Sequence, residues 1–245
     1  MEGTLNALCL RANLGNLITY EAVSGGSINQ AYKVKCDKGT FFLKYNPSAP
    51  EDFFNCEAKG LKALGKHLST PKIIFIDQDF LVLSYLQLGA LGNQTQARAG
   101  EQLAELHKQE SQFFGWTNNN YIGSLPQKNK KLESGRGFYG RYRFMPLVKS
   151  CFELGALSPA DLKNAEKVMQ NLYQIFPDEK AVLLHGDLWS GNIGEANGQV
   201  YFFDPAIYYG YRETDLAMTR LFGGFSSRFY QAYQSSYPLS PGWED

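Results

Sequence analysis

The sequence predicts an α+β chain of two lobes, an antiparallel five-stranded N-terminal lobe and a mostly helical C-terminal lobe. The first 86 residues contain short β-rich runs separated by turn residues, with a single helical stretch among them. After Leu88 the apolar spacing becomes mainly helical. We therefore place the N-terminal lobe at 1–86 and the C-terminal lobe at 87–245.

Each N-terminal element follows from a local pattern. Residues 52–67 carry apolar side chains at helical spacing, after two prolines that interrupt the chain. The tripeptide Asp37-Lys38-Gly39 predicts a hairpin turn between two strands. The five predicted strands are 18–24, 30–36, 40–45, 72–76 and 81–86.

The C-terminal elements are predicted in the same way. Helical spacing covers 94–108, 158–176 and 214–233, and the second of these helices has a proline in its first turn. The stretch 115–140 is rich in Asn, Gly and Lys, and we interpret it as a long loop of the kind that often carries function. Two short apolar strands, 181–184 and 200–203, lie on either side of a polar loop.

Composition excludes several classes of protein. The 245 residues carry 24 basic and 24 acidic side chains, so net charge gives no reason to expect a nucleic-acid or anionic-membrane partner. No apolar run approaches the roughly 20 residues that span a bilayer, and we see no signal peptide. The four cysteines are scattered without metal-ligand spacing, which predicts reduced thiols in a cytoplasmic protein.

The strongest chemical signal is the polar loop His185–Asn192, which reads HGDLWSGN. Asp187 could accept a hydroxyl proton, and the Asn192 amide oxygen could coordinate a divalent cation five positions later. Asp204, at the end of strand 200–203, could hold the same cation against ATP phosphates. These groups supply the positioning and charge neutralisation that phosphoryl transfer requires. For any one of these residues taken alone, a structural role in capping a turn is the favoured interpretation.

A lysine upstream fits the same chemistry. Lys44 lies at the end of a predicted strand, and Glu57 lies 13 residues later on the predicted helix. An acid there could hold the lysine toward nucleotide phosphates. Alone, a lysine at a strand end is usually a solvated charge.

Two further segments are predicted to contact the nucleotide by their position. The turn 24–29 has two glycines that would let the backbone approach phosphates, although an ordinary hairpin turn would look the same. The junction between the lobes could present backbone N–H and C=O groups to an adenine edge, as could any edge strand. The predicted nucleotide contacts here are Gly25, Gly26, Ser27, Ser84, Tyr85 and Leu86.

Together these motifs resemble the fructosamine kinase (ketosamine-3-kinase) family, whose members have a protein-kinase-like bilobal fold. The resemblance runs from about residue 17 to the end. It rests on HGDLWSGN at 185–192, on FDPAIYYGYRETDLAMTRLFGGF at 203–225, and on GGSINQAY at 25–32, with FGWTNNNYIGSLPQKN at 114–129 also close to the family's pattern. These stretches are more specific than the motifs common to all kinases.

The resemblance implies a role for each residue. Asp187 would be the general base, Asn192 and Asp204 would bind Mg²⁺, and Trp189 would stack on the sugar, with core packing as its alternative. The pair of Lys44 and Glu57 would position the phosphates, and 84–86 would be the adenine-binding hinge. The implied reaction transfers the γ-phosphate of ATP to the 3-hydroxyl of a ketosamine, small or protein-bound, in the repair of glycation.

Two neighbouring residues are expected to support the loop rather than react. We expect His185 to be structural, and Asp215 to accept backbone N–H bonds from the loop, with capping of its own helix as the alternative.

The chain also departs from the family's pattern. Many members have Cys where this chain has Ser27, and family members usually continue past the segment 238–242 with further helices. These departures leave two other hypotheses open: a kinase of another small molecule, such as choline or an aminoglycoside, and a non-catalytic nucleotide-binding protein of the same fold.

Overall fold

A computed structural model describes residues 1–23, 28–176 and 178–243, and it contains the predicted five-stranded antiparallel sheet. The strands are β1 (Leu17–Ala22), β2 (Gln30–Cys36), β3 (Gly39–Tyr45), β4 (Ile73–Ile76) and β5 (Phe80–Ser84). Their spatial order in the sheet is β1-β2-β3-β5-β4. The predicted fifth strand extends two residues too far, because the chain leaves the sheet after Ser84.

The two faces of this sheet are covered by different helices. Strand β5 is buried on both faces, so its side chains alternate between two cores. Phe80 and Val82 pack with helix α1 (Glu2–Arg11), whereas Leu81 and Leu83 pack with helix α2 (Phe53–Leu64). The sequence did not predict α1, because its apolar residues run on from the buried Leu8 and Cys9 to the exposed Leu10 and so do not mark a single helical face.

The remainder of the chain is mainly helical, and none of the helices in the described ranges is both long and apolar enough to cross a membrane. The predicted helix 214–233 is in fact two helices, because Gly223 and Gly224 have φ of +69° and +90° and interrupt the helical path. The predicted helix 158–176 is also divided, at Asn171. The helices are α3 (Asn93–His107), α4 (Gly135–Tyr139), α5 (Met145–Glu153), α6 (Pro159–Gln170), α7 (Leu172–Ile175), α8 (Glu213–Phe222) and α9 (Ser227–Ser236), with a π-helical turn (Gly140–Phe144) joining α4 to α5.

Helices α3 and α9 form the centre of this part of the molecule. A Cβ on Gly100 would lie 2.1 Å from the carbonyl oxygen of Phe229, so only glycine allows the two backbones to approach this closely. Leu103, Leu106 and Leu216 fill the core around this contact.

Short strands hold the polar loops in place. The antiparallel sheet β12-β9-β6 and the hairpin β10-β11 lie on either side of the segment 185–192. The segment 115–140, predicted as a loop, contains the hairpin β7-β8 and the start of α4, and its three-residue strands are too short to show a period in sequence. These strands are β6 (Glu110–Ser111), β7 (Asn120–Ile122), β8 (Leu125–Gln127), β9 (Ala181–Leu184), β10 (Ile193–Ala196), β11 (Gln199–Phe202) and β12 (Tyr208–Gly210).

The connection from β5 to α3 contains the predicted lobe boundary after residue 86. The division into 1–86 and 87–245 itself stays a prediction.

Candidate active site

The loop His185–Asn192 leaves the buried strand β9 through a conformation that requires glycine. Gly186 has φ of +83°, and a Cβ there would lie 2.1 Å from the carbonyl oxygen of Ala206. The backbone of Ala206 also donates a hydrogen bond to the His185 carbonyl, at 2.9 Å. The loop and the segment after Asp204 are therefore packed backbone to backbone.

Asp215, at the start of α8, holds this loop in place by hydrogen bonds to its backbone. Its carboxylate accepts the backbone N–H groups of His185 and Gly186 at 2.7 and 2.9 Å, and it lies 3.2 Å from Nε2 of His107. Burial favours a higher pKa for Asp215, but the hydrogen bonds and charge interactions of His107 and the loop amides outweigh it and lower that pKa. The prediction that Asp215 accepts backbone bonds from the loop is confirmed.

His107 connects Asp215 to the last helix, α9. Its Nδ1 lies 2.8 Å from the hydroxyl of Tyr233 on α9, and both side chains are buried. Sequence reasoning found no partner for His107, since its partners lie more than 100 residues away along the chain.

His185 is structural, as expected. Its Nδ1 accepts the amide of Asp187 at 3.3 Å, so Nε2 carries the proton and donates to the Phe203 carbonyl at 3.0 Å. Burial lowers the pKa of His185, which keeps the ring neutral.

Asp187 projects from the loop with a perturbed carboxyl group. Burial raises the pKa of Asp187 to about 6, the charge of Asp204 adds to that rise, and a hydrogen bond from Asn192 opposes it. That bond, from Asn192 Nδ2 to Asp187 Oδ2, measures 3.0 Å, and the same nitrogen donates to the Asp187 carbonyl at 2.8 Å. The carboxyl is thus held in place and able to exchange a proton near neutral pH.

Lys44 lies on β3 between two carboxylates. Its Nζ is 2.7 Å from Glu57 Oε1 on α2, and it also forms an ion pair with Asp204. Burial disfavours the ammonium, but the charges of Asp204 and Glu57 dominate and raise the pKa of Lys44. Burial raises the pKa of Glu57. The predicted pairing of Lys44 with Glu57 is present in the structure.

Asp204 follows β11 with φ of +55°, a left-handed conformation that Asp tolerates better than most residues. This turn directs its side chain toward Lys44, and 41% of that side chain remains exposed in the cleft.

A cavity of about 330 Å³, here called the linker cavity, lies beside the connection between β5 and α3. Its walls are largely apolar, and it extends to Lys44, Asn192 and Asp204. The segment predicted to bind adenine therefore borders it. The other wall residues are Val23, Asn29, Ala31, Phe42, Pro71, Leu83, Ser84, Tyr85, Leu86, Gln87, Leu88, Gly191 and Phe203.

A second cavity, here called the hairpin cavity, lies on the other side of the same polar residues and is bordered by the hairpin β7-β8. Asp187 and Trp189 face it, and the Trp189 ring also packs over Gly191 and lies 5.9 Å from the Phe222 ring. The two cavities meet where they share residues, namely Asn29, Lys44, Asn192 and Asp204.

Several residues of the hairpin cavity were not predicted as site residues: Phe53, Cys56, Asn120, Tyr121 and Gly123. Two signals pointed to the last three: the interpretation of 115–140 as a functional loop and the family-like stretch 114–129. The predicted contacts Gly25, Gly26 and Ser27 lie outside the described residues, but Ile28 and Asn29, which follow them, border the hairpin cavity.

The described residues contain no group of three or more His, Cys, Asp or Glu side chains that could hold a metal ion alone. An ion here would have Asp204, Asn192 and ligands from outside the protein.

Comparison with known proteins identifies the chain's family. Residues 9–245 match the family model described as "Fructosamine kinase". The chain belongs to the fructosamine kinase family. The chain is 34% identical over 230 residues to the "Probable ketoamine kinase" of Enterococcus faecium, covering 91% of this chain and 82% of that protein. It is also 34% identical to the chloroplastic protein-ribulosamine 3-kinase of Arabidopsis thaliana, over 91% of this chain and 71% of that protein.

A solved structure agrees with this assignment. The crystal structure of a protein designated a fructosamine-3-kinase from Thermobifida fusca superposes with a TM-score of 0.89 at 30% identity, covering 98% of this chain and 87% of that one. The predicted α+β, protein-kinase-like fold is therefore confirmed. As a member of the fructosamine kinase family, this protein is a phosphotransferase.

Proposed function

We propose that this chain transfers the γ-phosphate of ATP to the 3-hydroxyl of a ketosamine, as a deglycation enzyme. The observation that carries the proposal is the meeting of the linker and hairpin cavities at Lys44, Asn192 and Asp204, with Asp187 facing only the hairpin cavity. A nucleotide in one cavity and an alcohol in the other would place the transferred phosphoryl group between them.

The nucleotide would lie in the linker cavity. Its adenine edge would meet the backbone of Ser84, Tyr85 and Leu86, while apolar side chains enclose the base. Lys44, held by Glu57, would neutralise phosphate charge. The predicted phosphate-covering role of Gly25, Gly26 and Ser27 completes this assignment.

Asp204 and Asn192 fit a magnesium ion, because both offer oxygen atoms, which Mg²⁺ prefers. The Nδ2 atom of Asn192 is engaged by Asp187, so Oδ1 is the atom left to coordinate. Two protein ligands suit an ion that keeps water and phosphate oxygens in its shell. When bound, the ion would offset charge on the phosphates.

In this reaction the side chains of the protein take part in one proton transfer. Asp187 accepts the proton of the 3-hydroxyl as that oxygen bonds to the γ-phosphorus and the bond to the ADP oxygen breaks. Its pKa of about 6 leaves it mostly ionised at neutral pH, yet basic enough to accept a proton. Trp189 would stack on the apolar face of the sugar.

The choice of a ketosamine rests on family membership and on relatives named ketoamine kinase and protein-ribulosamine 3-kinase. We further propose a cytoplasmic location, supported by four free thiols, three of them buried, which suit a reducing compartment. The lobe 1–86 would supply most of the nucleotide contacts, and the lobe 87–245 would supply the catalytic loop and most of the acceptor contacts.

The test is ATP- and Mg²⁺-dependent phosphorylation of fructosamine, ribulosamine and erythrulosamine derivatives, with choline and an aminoglycoside as control acceptors. We expect turnover of a ketosamine alone, reduced at least a hundredfold in Asp187→Asn, on the order of a general-base contribution. Asp178→Asn, an exposed change outside both cavities, is the matched control. Turnover of a control acceptor alone would assign a different substrate class, and equal rates in parent and Asp187→Asn would refute the general-base role.

A further inference from the structure

The hairpin β7-β8 connects the two parts of the site that must be aligned, and this inference rests on the function proposed above. On one side, Asn120 Nδ2 donates to the Ile207 carbonyl at 2.8 Å, just beyond Asp204. Asn120 Oδ1 accepts from the buried Asn129 at 2.8 Å. The hairpin is therefore fixed to the segment that carries a proposed magnesium ligand.

On its other side the hairpin contacts the beginning of α2. The hydroxyl of Tyr121 donates to Asp52 Oδ1 at 2.7 Å, and the ring centroids of Tyr121 and Phe53 are 5.0 Å apart. The thiol of Cys56 lies 3.3 Å from the Asn119 carbonyl. Burial raises the pKa of Cys56 to about 11, so this group remains a neutral donor.

Asp52 is the N-cap residue of α2, yet its side chain makes no hydrogen bond to the free N–H groups of its own helix. Its carboxylate accepts from Tyr121 of the hairpin through Oδ1 and, at 3.6 Å, from the Cys56 thiol through Oδ2. The Asp52 side chain therefore connects the N-terminus of α2 to the hairpin rather than capping the helix's free N–H groups.

The face of α2 that meets the hairpin also carries Glu57. Phe53, Cys56 and Glu57 are spaced i, i+3, i+4, which places them on one side of the helix, and all three border the hairpin cavity. One turn later, a Cβ on Gly60 would lie 3.0 Å from Pro205 Cγ. Glu57 thus lies between a contact to the hairpin and a contact to the residue after Asp204.

We propose that Tyr121 is a positioning residue, whose hydrogen bond to Asp52 holds α2 where Glu57 directs Lys44 toward the nucleotide phosphates. Because Tyr121 also borders the hairpin cavity, the acceptor side of the site stabilises the phosphate-binding pair.

The test is Tyr121→Phe, which keeps the ring against Phe53 and removes only the hydroxyl. We expect kcat for ketosamine phosphorylation and the rate of ATP hydrolysis without acceptor to fall by the same factor, roughly threefold to tenfold for one bond to a carboxylate. In a Glu57→Gln background, Tyr121→Phe should lower these two rates by less than about twofold, because Tyr121 acts by positioning Glu57. Tyr173→Phe, on the exposed side of α7, is the matched control.

Two variants of Asp52, and the outcomes that would contradict the proposal, test the role of Tyr121 further. Asp52→Ala should lose at least as much as Tyr121→Phe, because it also removes the acceptor of the Cys56 thiol, whereas Asp52→Asn keeps an acceptor oxygen and should stay near the parent. A rise in the KM for ketosamine with unchanged ATP hydrolysis would show a direct acceptor contact and overturn the proposal. Additive losses in the Glu57→Gln background, or parental rates in Tyr121→Phe, would overturn it too.

Separate measurements distinguish a failure of the proposed kinase function from a failure of the positioning role of Tyr121. If the parent phosphorylates no ketosamine, the proposed function fails, while ATP hydrolysis and Mg-ATP affinity by titration calorimetry still report on the Lys44–Glu57 pair. A weaker Mg-ATP affinity in Tyr121→Phe, absent in the Glu57→Gln background, would support the positioning role alone. An unchanged affinity and hydrolysis rate would refute it.

Discussion

Replacing Gly186 by alanine should destabilise the protein more than a positive φ alone explains. At this position φ is +83°, and the new Cβ would lie 2.1 Å from the backbone oxygen of Ala206. The Cβ is attached directly to the backbone, and the atom it would meet is a backbone oxygen. No flexible side chain can therefore move aside to relieve the overlap.

The magnitude has two parts. A non-glycine residue in the left-handed region costs about 1–2 kcal/mol. Relief of the overlap requires the segment after Asp204 to shift, and forced repacking of this kind costs about 1–3 kcal/mol. The expected loss is therefore about 2–5 kcal/mol, a large share of the roughly 5–15 kcal/mol that stabilises a typical domain.

The matched control is Gly198→Ala, in the β10-β11 turn. Gly198 has φ of +73°, and a Cβ there would meet no atom within 4 Å. This variant isolates the cost of φ, so the difference between the two free energies of unfolding, measured by urea denaturation, reports the overlap. If Gly186→Ala lost no more stability than Gly198→Ala, the close approach of the loop to Ala206 would be wrong. An insoluble Gly186→Ala beside a soluble Gly198→Ala would agree with it.

Three other predictions concern single side chains. Asp187 must be ionised to accept a proton, and its pKa is about 6, so kcat/KM should fall about tenfold per pH unit below that value; a flat profile from pH 7 to 5 would contradict the assignment. Trp189→Phe should raise the KM for ketosamine severalfold and leave the KM for ATP unchanged; steady-state kinetics that showed the reverse would place the ring on the nucleotide side. Asp215→Asn should lower the free energy of unfolding by about 1–3 kcal/mol, because the amide cannot accept both loop N–H groups and the His107 bond. The folded pKa of Asp215 lies below its ordinary value of 3.8, so its contribution is complete above that value and is lost as pH falls through the folded pKa. Urea unfolding at pH 7 and pH 3 should therefore show a smaller difference between parent and variant at pH 3, and an equal difference would argue against an ionised Asp215.

The residues that sequence reasoning located best are those whose roles depend on local pattern. Alternating strands and the Asp37-Lys38 turn predicted the sheet, where Cys36 pairs with Gly39 across the hairpin. Spacing within one loop predicted that Asp187 and Asn192 lie together, and they do, at 3.0 Å. Such features depend only on residues that lie within a few positions of one another in the sequence.

What the sequence did not predict depends on contacts between distant segments. The contacts of Tyr121 with Asp52 and of Cys56 with Asn119 join residues more than 60 positions apart. Tyr121 and Asn119 lie in the family-like stretch 114–129, but nothing in that stretch indicates that its partners lie at the start of α2. The break at Gly223 and Gly224 was visible as two glycines, but helical spacing continued on both sides of it and indicated one helix. Tertiary packing decided these features, so local periodicity could not show them.

The bond between His107 and Tyr233 has a consequence for how the protein acquires its site. It links residues 126 positions apart beneath the loop that carries Asp187. Contacts of such separation bear a large closure entropy and form late unless a nucleus brings them together. During synthesis from the N-terminus, Lys44 and Glu57 can meet early, but Asp215 cannot be held by His107 and Tyr233 until α9 has emerged. The pair of Lys44 and Glu57 can therefore form on the ribosome well before the loop of Asp187 is locked in place, whereas the linker cavity is completed only when Asn192 and Asp204 have been made.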